Sequence, residues 1–245
     1  MTRAAPRHAV RRTLATAASL AALATVGLVS GCSSASPSSP PAGVDELTVP
    51  TPSPDPDDFV DVIDNPWLPL AAGAQWSYDL ADAPGGVRVR VTEETRTVAG
   101  VEATVVETVS TLSDAPSDAG WTTVDSTDYY AQDDAGNVWW LGREGEWQAG
   151  EAGAEAGIAM LATPRVGDGY AQAEPGPRAE VLALDGEVET PAGAFESLVV
   201  VETTEVGGRV LRSYYARGAG LVSLETETGA PEETLELTRS DLVAP

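Results

Sequence analysis

Few residues of this chain belong to the types that usually carry out catalysis. His8 is the single histidine, Cys32 is the single cysteine, and all 14 basic residues are arginines. Because His8 lies in a segment that we expect to be removed, the mature protein has no imidazole for a general base, a serine–histidine triad or a zinc site, and no lysine for a Schiff base. We therefore expect a protein that is not an enzyme, with no catalytic residues, no metal and no cofactor.

One short region is rich in carboxylate and amide oxygens, which are the ligands that calcium prefers. It comprises Asp125, Asp128, Asp133, Asp134 and Asn137. The spacing differs from that of an EF-hand loop, and an Asp-Ala-Gly-Asn segment between two predicted strands is typical of a tight turn. We favour the turn and keep calcium as the alternative.

A second acidic arrangement is the pair Glu144 and Glu146, whose side chains point the same way if the segment is extended. Paired carboxylates hydrolyse glycosidic bonds when about 5–10 Å separate them. The chain has 38 acidic residues, so such pairs also arise by chance. A hydrolase that acts on cell-wall glycans is therefore an alternative and not the main hypothesis.

Aromatic residues are concentrated near the middle of the chain. Trp139 and Trp140 are adjacent in a predicted strand, so their side chains face opposite sides of a sheet. Together with Trp147 and the pair Tyr129 and Tyr130, they could form a stacking platform or the wall of a groove for an apolar ligand. We take Trp139, Trp140, Trp147 and Tyr129 as candidate ligand-facing residues, with packing in the core as the alternative for side chains of this size.

The amino terminus has the pattern of an export signal. Residues 1–12 contain arginines and no acidic residue, and the stretch from Leu14 to Val29 carries no charge. Such a stretch spans roughly 24 Å as a helix, which is short of the ~30 Å hydrocarbon core of a bilayer. The pattern predicts a removable signal peptide over residues 1–31. Arg11 and Arg12 leave twin-arginine export open beside the general secretory route.

The end of this segment, Leu28-Val29-Ser30-Gly31-Cys32, resembles the lipobox of bacterial lipoproteins. In that family the cysteine receives a diacylglyceryl group, and a signal peptidase cuts immediately before it. The resemblance implies cleavage after Gly31 and lipidation of Cys32. It also implies a protein held by its acyl chains on the extracytoplasmic face of the cell membrane, where two or more chains give stable anchoring.

The mature chain divides into a tether and one domain. Residues 32–58 are rich in proline and serine and cannot bury enough apolar surface to fold, so we expect a disordered tether. Residues 59–243 have a length that suits a single core. The predicted signal peptide holds basic residues and no acids, so the mature chain is more negative than the −24 of the whole sequence. This charge disfavours nucleic acids as partners.

The domain shows the patterns of strands joined by short turns. Residues 74–80 and 87–92 alternate between apolar and polar side chains, which is typical of half-buried strands. Further predicted strands lie at 101–112, 121–132, 137–143, 168–174, 178–185, 196–206, 209–217, 220–228 and 233–239. Short connections require antiparallel neighbours. We predict an all-β antiparallel meander that forms a curved sheet or flattened half-barrel, with few or no helices. The best helical candidate is 149–162, where glycines make a loop the alternative.

A weak repeat indicates two similar halves. Val-Val-Glu-Thr occurs at 105–108 and 200–203, and Tyr-Tyr-Ala occurs at 129–131 and 214–216, each followed by a valine, at 138 and 222. The first unit is longer, with its extra residues around 113–120. A duplicated meander explains this order, and independent use of the same hairpin chemistry is the alternative.

Several segments resemble a group of poorly characterised secreted β-domain proteins. They are Asn-Pro-Trp-Leu-Pro-Leu at 65–70, the Asp-Tyr-Tyr-Ala-Gln-Asp segment with Gly-Asn-Val-Trp at 128–139, Val-Glu-Thr-Pro-Ala-Gly-Ala-Phe at 188–195, and Tyr-Tyr-Ala with the following glycines at 214–222. The resemblance implies a β-fold, and it brings no established activity and no catalytic residues.

These observations lead to one main hypothesis and two alternatives. The main hypothesis is a lipid-anchored extracytoplasmic protein whose concave sheet binds an apolar or amphipathic ligand, such as a lipid, or an envelope partner. The alternatives are the carboxylate-dependent hydrolase and a purely structural or adhesive module.

Overall fold

The structure is a computed structural model that describes residues 55–81, 84–112 and 124–242. These residues all belong to one compact unit. The predicted signal peptide, Cys32 and most of the predicted tether lie outside the described residues, as do the extra residues at 113–120. In the described part of the chain, no helix combines the length and the apolar character needed to cross a membrane.

Strands dominate the described residues, where the one helical element is a 3-10 turn at Pro56–Asp58. The strands are β1 (Phe59–Val60), β2 (Gln75–Leu80), β3 (Gly85–Val98), β4 (Val101–Leu112), β5 (Val124–Asp133), β6 (Val138–Arg143), β7 (Trp147–Gln148), β8 (Glu155–Met160), β9 (Gly169–Ala171), β10 (Ala173–Glu174), β11 (Arg178–Thr190), β12 (Gly193–Thr204), β13 (Val210–Ala216), β14 (Gly220–Thr228) and β15 (Thr234–Ser240).

All strands join one antiparallel sheet that is nearly closed and barrel-shaped. Its order is β10-β8-β6-β5-β4-β3-β2-β15-β14-β13-β12-β11-β9, with β1 added to β5 and β7 added to β6. The two end strands, β9 and β10, are separated in the chain only by Gln172. One short segment therefore pairs with β11 through β9 and with β8 through β10, and so connects the two edges of the sheet.

A glycine allows this connection to lie close against β8. A Cβ atom at Gly157 would overlap the backbone of Gln172 and would come within 2.5 Å of the carbonyl oxygen of Ala171. Any larger residue at position 157 would push the connecting segment away from β8. The closure of the sheet thus depends on an absent side chain, a role that glycine often has where two backbones meet.

The strands form where apolar side chains alternate with polar ones. On β2, Trp76 and Tyr78 are buried, Ser77 between them is half-buried, and Gln75 and Asp79 on either side are exposed. β6 differs because both of its faces are covered, as its burial pattern shows. On one face, Trp139 packs edge-to-face against Phe59 with ring centroids 6.2 Å apart.

The all-β antiparallel prediction is confirmed, and the sheet is closed further than the predicted half-barrel. The predicted strands match observed ones at most positions, although the predicted 168–174 strand is divided into β9 and β10. The helical candidate at 149–162 is wrong, because residues Glu155–Met160 form β8. β8 pairs with both β6 and β10, so long-range pairing decides its conformation.

Strand register supports the two similar halves. The first valines of the segments at 105–108 and 200–203 lie opposite Tyr129 and Tyr214, respectively. Each tyrosine is then followed by a register shift on its other side. In each half the shift leaves one residue without a cross-strand partner, Leu141 in β6 and Val222 in β14. Both side chains are fully buried. The register therefore equates Leu141, and not Val138, with Val222.

Candidate functional site

The concave side of the sheet surrounds a cavity of about 650 Å³. Its walls come from strands on all sides of the nearly closed sheet. The apolar and aromatic lining includes Leu68, Leu70, Trp76, Val89, Val106, Trp140, Trp147, Ala159, Leu211, Leu221 and Leu224. The polar lining is Tyr78, Thr108, Asp128, Tyr130, Arg143, Glu146, Gln172, Thr203, Glu205, Ser213 and Tyr215. Four of these eleven residues are charged, and the other seven contribute six hydroxyls and one amide.

The two ends of the cavity differ in their exposure. At one end the lining comes from the segment before β2, where Leu70 is 5% exposed. At the other end it comes from exposed turns after β6, β10 and β12, and Val206 in the last of these is 81% exposed. The cavity is therefore closed by the segment before β2 and opens to solvent between the turns.

Asn65 fixes the segment that closes the cavity. Its side-chain oxygen accepts hydrogen bonds from the backbone N–H groups of Trp67, at 2.8 Å, and Leu68, at 3.1 Å. Its side-chain nitrogen donates to the carbonyl oxygens of Gly136, at 2.8 Å, and Leu161, at 3.2 Å. Asn65 is 1% exposed. Asn65 of the Asn-Pro-Trp motif therefore positions the floor of the cavity.

A charged pair lies on the wall that β5 and β6 form. The Asp128 carboxylate accepts hydrogen bonds on Oδ1 from Nε of Arg143, at 2.8 Å, and from the indole nitrogen of Trp140, at 2.9 Å. Its Oδ2 accepts from Nη2 of Arg143, at 3.2 Å, and from the Ser126 hydroxyl, at 2.8 Å. Both oxygens are thus engaged, and the bidentate pair compensates the charge of each partner.

Arg143 is held in place by aromatic rings as well as by Asp128. Its guanidinium lies 5.3 Å from the centre of the Trp140 ring, and Trp140 meets Trp147 edge-to-face at 4.8 Å between centroids. Burial acts to lower the pKa of Arg143, but the hydrogen bond and negative charge of Asp128 outweigh it, so the pKa is raised. Arg143 therefore stays charged, and it covers one face of Trp140.

Three tyrosines contribute hydroxyl groups to the lining. Burial raises the pKa of Tyr78, and its hydroxyl donates to the carbonyl oxygen of Leu221 at 3.0 Å. Burial also raises the pKa of Tyr130, with a further contribution from the charge of Asp128. The pKa of Tyr215 is raised by burial as well. These hydroxyl groups stay protonated at ordinary pH. The Tyr78 O–H is already used on Leu221, whereas the Tyr130 hydroxyl can donate a hydrogen bond to a ligand.

The candidate ligand-facing residues are divided between two environments. Trp140 and Trp147 line the cavity. Trp139 lies on the other face of β6, where its indole nitrogen donates to Asp133 at 2.8 Å. Tyr129 is 2% exposed and does not line the cavity, whereas its neighbour Tyr130 does.

Residues that the sequence analysis did not select also line the cavity. The sequence pattern points to Asp128 only as a candidate calcium ligand. It points to neither Arg143 nor Tyr215 as a residue that faces a ligand. The alternation of β5 could have identified Asp128 and Tyr130 as neighbours on one face, since they are two residues apart. No comparable local signal points to Leu68 or Leu70.

The acidic region shows the contacts of a turn. Asp133 accepts hydrogen bonds from the backbone and side-chain nitrogens of Asn137, at 2.7 and 2.9 Å. Within residues 55–81, 84–112 and 124–242, no group of three or more acidic, histidine or cysteine side chains is arranged to hold a metal ion.

Comparison with known proteins gives no family for this chain, since no family model and no curated protein matches it. Two solved structures are similar. One, provisionally described as an exported protein with a YmcC-like fold from Bacteroides fragilis, has a TM-score of 0.42 and 16% identity, covering 71% of this chain and 98% of its own. The other, provisionally described as a lipoprotein from Parabacteroides distasonis, has a TM-score of 0.34 and 11% identity, covering 74% and 100%. Similarity at this level supports no functional conclusion, so a functional proposal must rest on the geometry of the cavity.

Proposed function

We propose that this protein is a lipid-anchored extracytoplasmic binding protein, not an enzyme, which holds an apolar or amphipathic ligand inside its β-domain. The observation that carries the proposal is the cavity of about 650 Å³ with a closed apolar floor and a solvent-exposed opening. Cavities of about 300–1,000 Å³ with mostly apolar walls and few polar groups are typical of small-molecule sites. A barrel that served only as a scaffold would gain stability by filling this space with side chains.

The anchor in this proposal is Cys32, and its support is the lipobox-like sequence that ends there. The acyl chains on Cys32 would hold the protein on the outer face of the cell membrane. A proline-rich tether extends by ~3.1 Å per residue, so residues 32–54 would allow the domain to reach up to roughly 70 Å from the bilayer. The domain would thus stay close to lipids and to envelope partners.

Native mass spectrometry of protein purified from its own host tests the proposal. We expect a species heavier than the protein by the mass of a bound small molecule, and extraction with organic solvent should release that molecule. Nile red, which is uncharged and apolar, should bind to the extracted protein with increased fluorescence. An apo species that also fails to bind Nile red would contradict the proposal.

A variant that fills the cavity separates internal binding from surface binding. Ala159 lines the cavity, and Ala159→Phe should occupy part of the space and abolish Nile red binding. The matched control is Ala194→Phe, because Ala194 is an exposed residue of β12 that does not line the cavity. The control should bind Nile red as the native protein does. Equal binding by both variants would place the dye outside the cavity.

The glycan hydrolase has one observation in its favour. Asp128 and Glu146 line the same cavity as Trp140 and Trp147. Both oxygens of Asp128 are, however, already engaged by hydrogen-bond donors, so this carboxylate is poorly placed to attack a sugar or to transfer a proton. Release of soluble fragments from cell-wall glycan, abolished in Glu146→Gln, would support the hydrolase against the binding protein.

A further inference from the structure

The two similar halves of the domain contribute different chemistry to equivalent positions of the cavity. Two equivalent pairs are conserved in type, namely Thr108 with Thr203 and Tyr130 with Tyr215, and all four residues line the cavity. Three pairs differ although both members line the cavity, and they are Asp128 with Ser213, Trp140 with Leu221, and Arg143 with Leu224. At these three positions the β5–β6 wall carries two charged side chains and a tryptophan, where the β13–β14 wall carries a serine and two leucines.

These two walls lie on opposite sides of the cavity. In the sheet order, β4, β3, β2, β15 and β14 separate β5 from β13 on one path, and the connecting segment at Gln172 joins the remaining edges. A ligand in the cavity consequently meets charged and aromatic groups on one side. On the other side it meets leucine side chains beside the hydroxyls of Ser213 and Tyr215. This polarity suits an amphiphile better than a uniformly apolar molecule.

We propose that the ligand is an amphiphile with an uncharged polar head, which lies against Tyr130 and Arg143 on the β5–β6 wall, and with an apolar part that lies against Leu221 and Leu224. The inference rests on the proposed binding function and specifies its ligand class. Hydroxyl, ester and amide groups are heads of this kind.

Charge compensation in the wall argues against an anionic head. Arg143 is the only basic residue among the described residues that line the cavity, and its guanidinium is paired with Asp128 at 2.8 Å. The other charged lining residues are Glu146 and Glu205, which are acidic. Glu205 is itself paired with the Arg209 guanidinium at 3.9 Å. A carboxylate or phosphate entering the cavity would therefore meet mainly the negative charge of Glu146 at the opening, and like charges at close range are unfavourable.

The position of Arg143 argues against a cationic head. A cation would be expected to stack on a tryptophan face, yet the guanidinium already lies 5.3 Å from the centre of the Trp140 ring. A second cation would therefore be repelled from this aromatic site. The negative charge of Glu146 would attract it to the opening instead of to the β5–β6 wall.

Tyr130 supplies a hydrogen-bond donor for an uncharged head. No described residue makes a hydrogen bond with its hydroxyl, although burial beside Asp128 keeps this hydroxyl protonated by raising its pKa. A partly buried hydroxyl without a protein partner gains a hydrogen bond when a ligand oxygen reaches it. A hydroxyl or carbonyl oxygen of the head can accept this bond.

Displacement of Nile red by three amphiphiles with the same twelve-carbon chain tests the inference. The competitors are 1-monododecanoylglycerol, dodecanoate and dodecyltrimethylammonium, at pH 8, where the carboxylate is ionised. We expect the monoglyceride to bind about tenfold more tightly than either charged competitor, since Glu146 opposes the carboxylate at the opening and Arg143 opposes the ammonium on the β5–β6 wall. Dodecanoate or dodecyltrimethylammonium binding as tightly as the monoglyceride would overturn the inference and leave the proposed function intact. Failure of Nile red to bind at all would instead overturn the proposed function.

Two variants locate the head within the cavity. Tyr130→Phe should weaken the monoglyceride by about 2- to 10-fold, the range expected for one hydrogen bond, and leave Nile red unaffected. Glu146→Gln should strengthen dodecanoate by about threefold through removal of one negative charge at the opening. The control is Glu151→Gln, because Glu151 is exposed and does not line the cavity, and it should change neither affinity. Unchanged monoglyceride binding by Tyr130→Phe would refute the placement of the head on the β5–β6 wall.

Discussion

Replacement of Asn65 by alanine should destabilise the domain and remove the floor of its cavity together. The Asn65 side chain makes hydrogen bonds to the backbone of four other residues, and three of these bonds are 3.1 Å or shorter. Each such bond contributes a net ~0.5–1.5 kcal/mol, so the loss in free energy of unfolding should be about 2–6 kcal/mol. The value lies in this range because alanine leaves two N–H groups and two carbonyl groups near the core without a protein partner.

The loss should also affect binding, because Asn65 positions Leu68 and Leu70 at the closed end of the cavity. Urea unfolding followed by tryptophan fluorescence gives the free energy, and Nile red titration in the absence of urea gives the affinity. Gln75→Ala is a suitable control, because Gln75 is exposed on β2 and makes no side-chain hydrogen bond within the described residues. A change smaller than about 1 kcal/mol for Asn65→Ala, with Nile red binding intact, would refute the assigned role, since water would then replace the side chain at little cost.

Further predictions concern buried polar groups and the anchor. Tyr170→Phe should leave stability unchanged or raise it by up to about 1 kcal/mol in urea unfolding, because the Tyr170 hydroxyl is buried without a hydrogen-bond partner in the described residues. Asp128→Ala should lower thermal stability far more than Glu107→Ala, because the Asp128 side chain is 5% exposed and Glu107 belongs to an exposed ion pair. Equal losses would contradict this. The free energy of unfolding should fall as pH rises above about 10, the ordinary pKa of tyrosine. Burial raises the pKa of Tyr78 in the folded protein, so above pH 10 the unfolded chain loses the Tyr78 proton while the folded protein keeps it. Absorbance at alkaline pH should show Tyr78 ionising only with unfolding. Cys32→Ala should abolish incorporation of labelled fatty acid and move the protein out of the membrane fraction.

Local patterns were sufficient to predict most of the strands. Alternating side chains identify β2 and β3, and the turns between hairpins are marked by glycine and aspartate. The repeat also pointed to equivalent strand pairs, which the register of β4–β5 and β12–β13 supports. These features depend on neighbours that are close in sequence or on strands joined by short turns.

Only the tertiary structure shows which of two neighbouring residues in a strand faces the cavity. The sequence placed Trp139 and Trp140 on opposite faces but could not tell which face is the cavity. It selected Tyr129 where Tyr130 lines the cavity. Phe59 covers the face of β6 that lies away from the cavity, so side chains on both faces of β6 are buried. The polarity of the β6 side chains therefore could not show which face lines the cavity.

The sequence by itself determined that the domain is an antiparallel β-structure, because side-chain alternation and short turns are local properties. It offered two similar halves as one of two explanations of the repeat, and the strand register supports that one. Only the tertiary structure decided that the sheet nearly closes, because Gly157 accommodates a segment that joins both edges. It also decided that Asn65 reaches backbone groups as far as 96 residues away, at Leu161. Such contacts form between segments that are distant in sequence. The cavity is the space that remains when these segments pack, and no local sequence pattern specifies it.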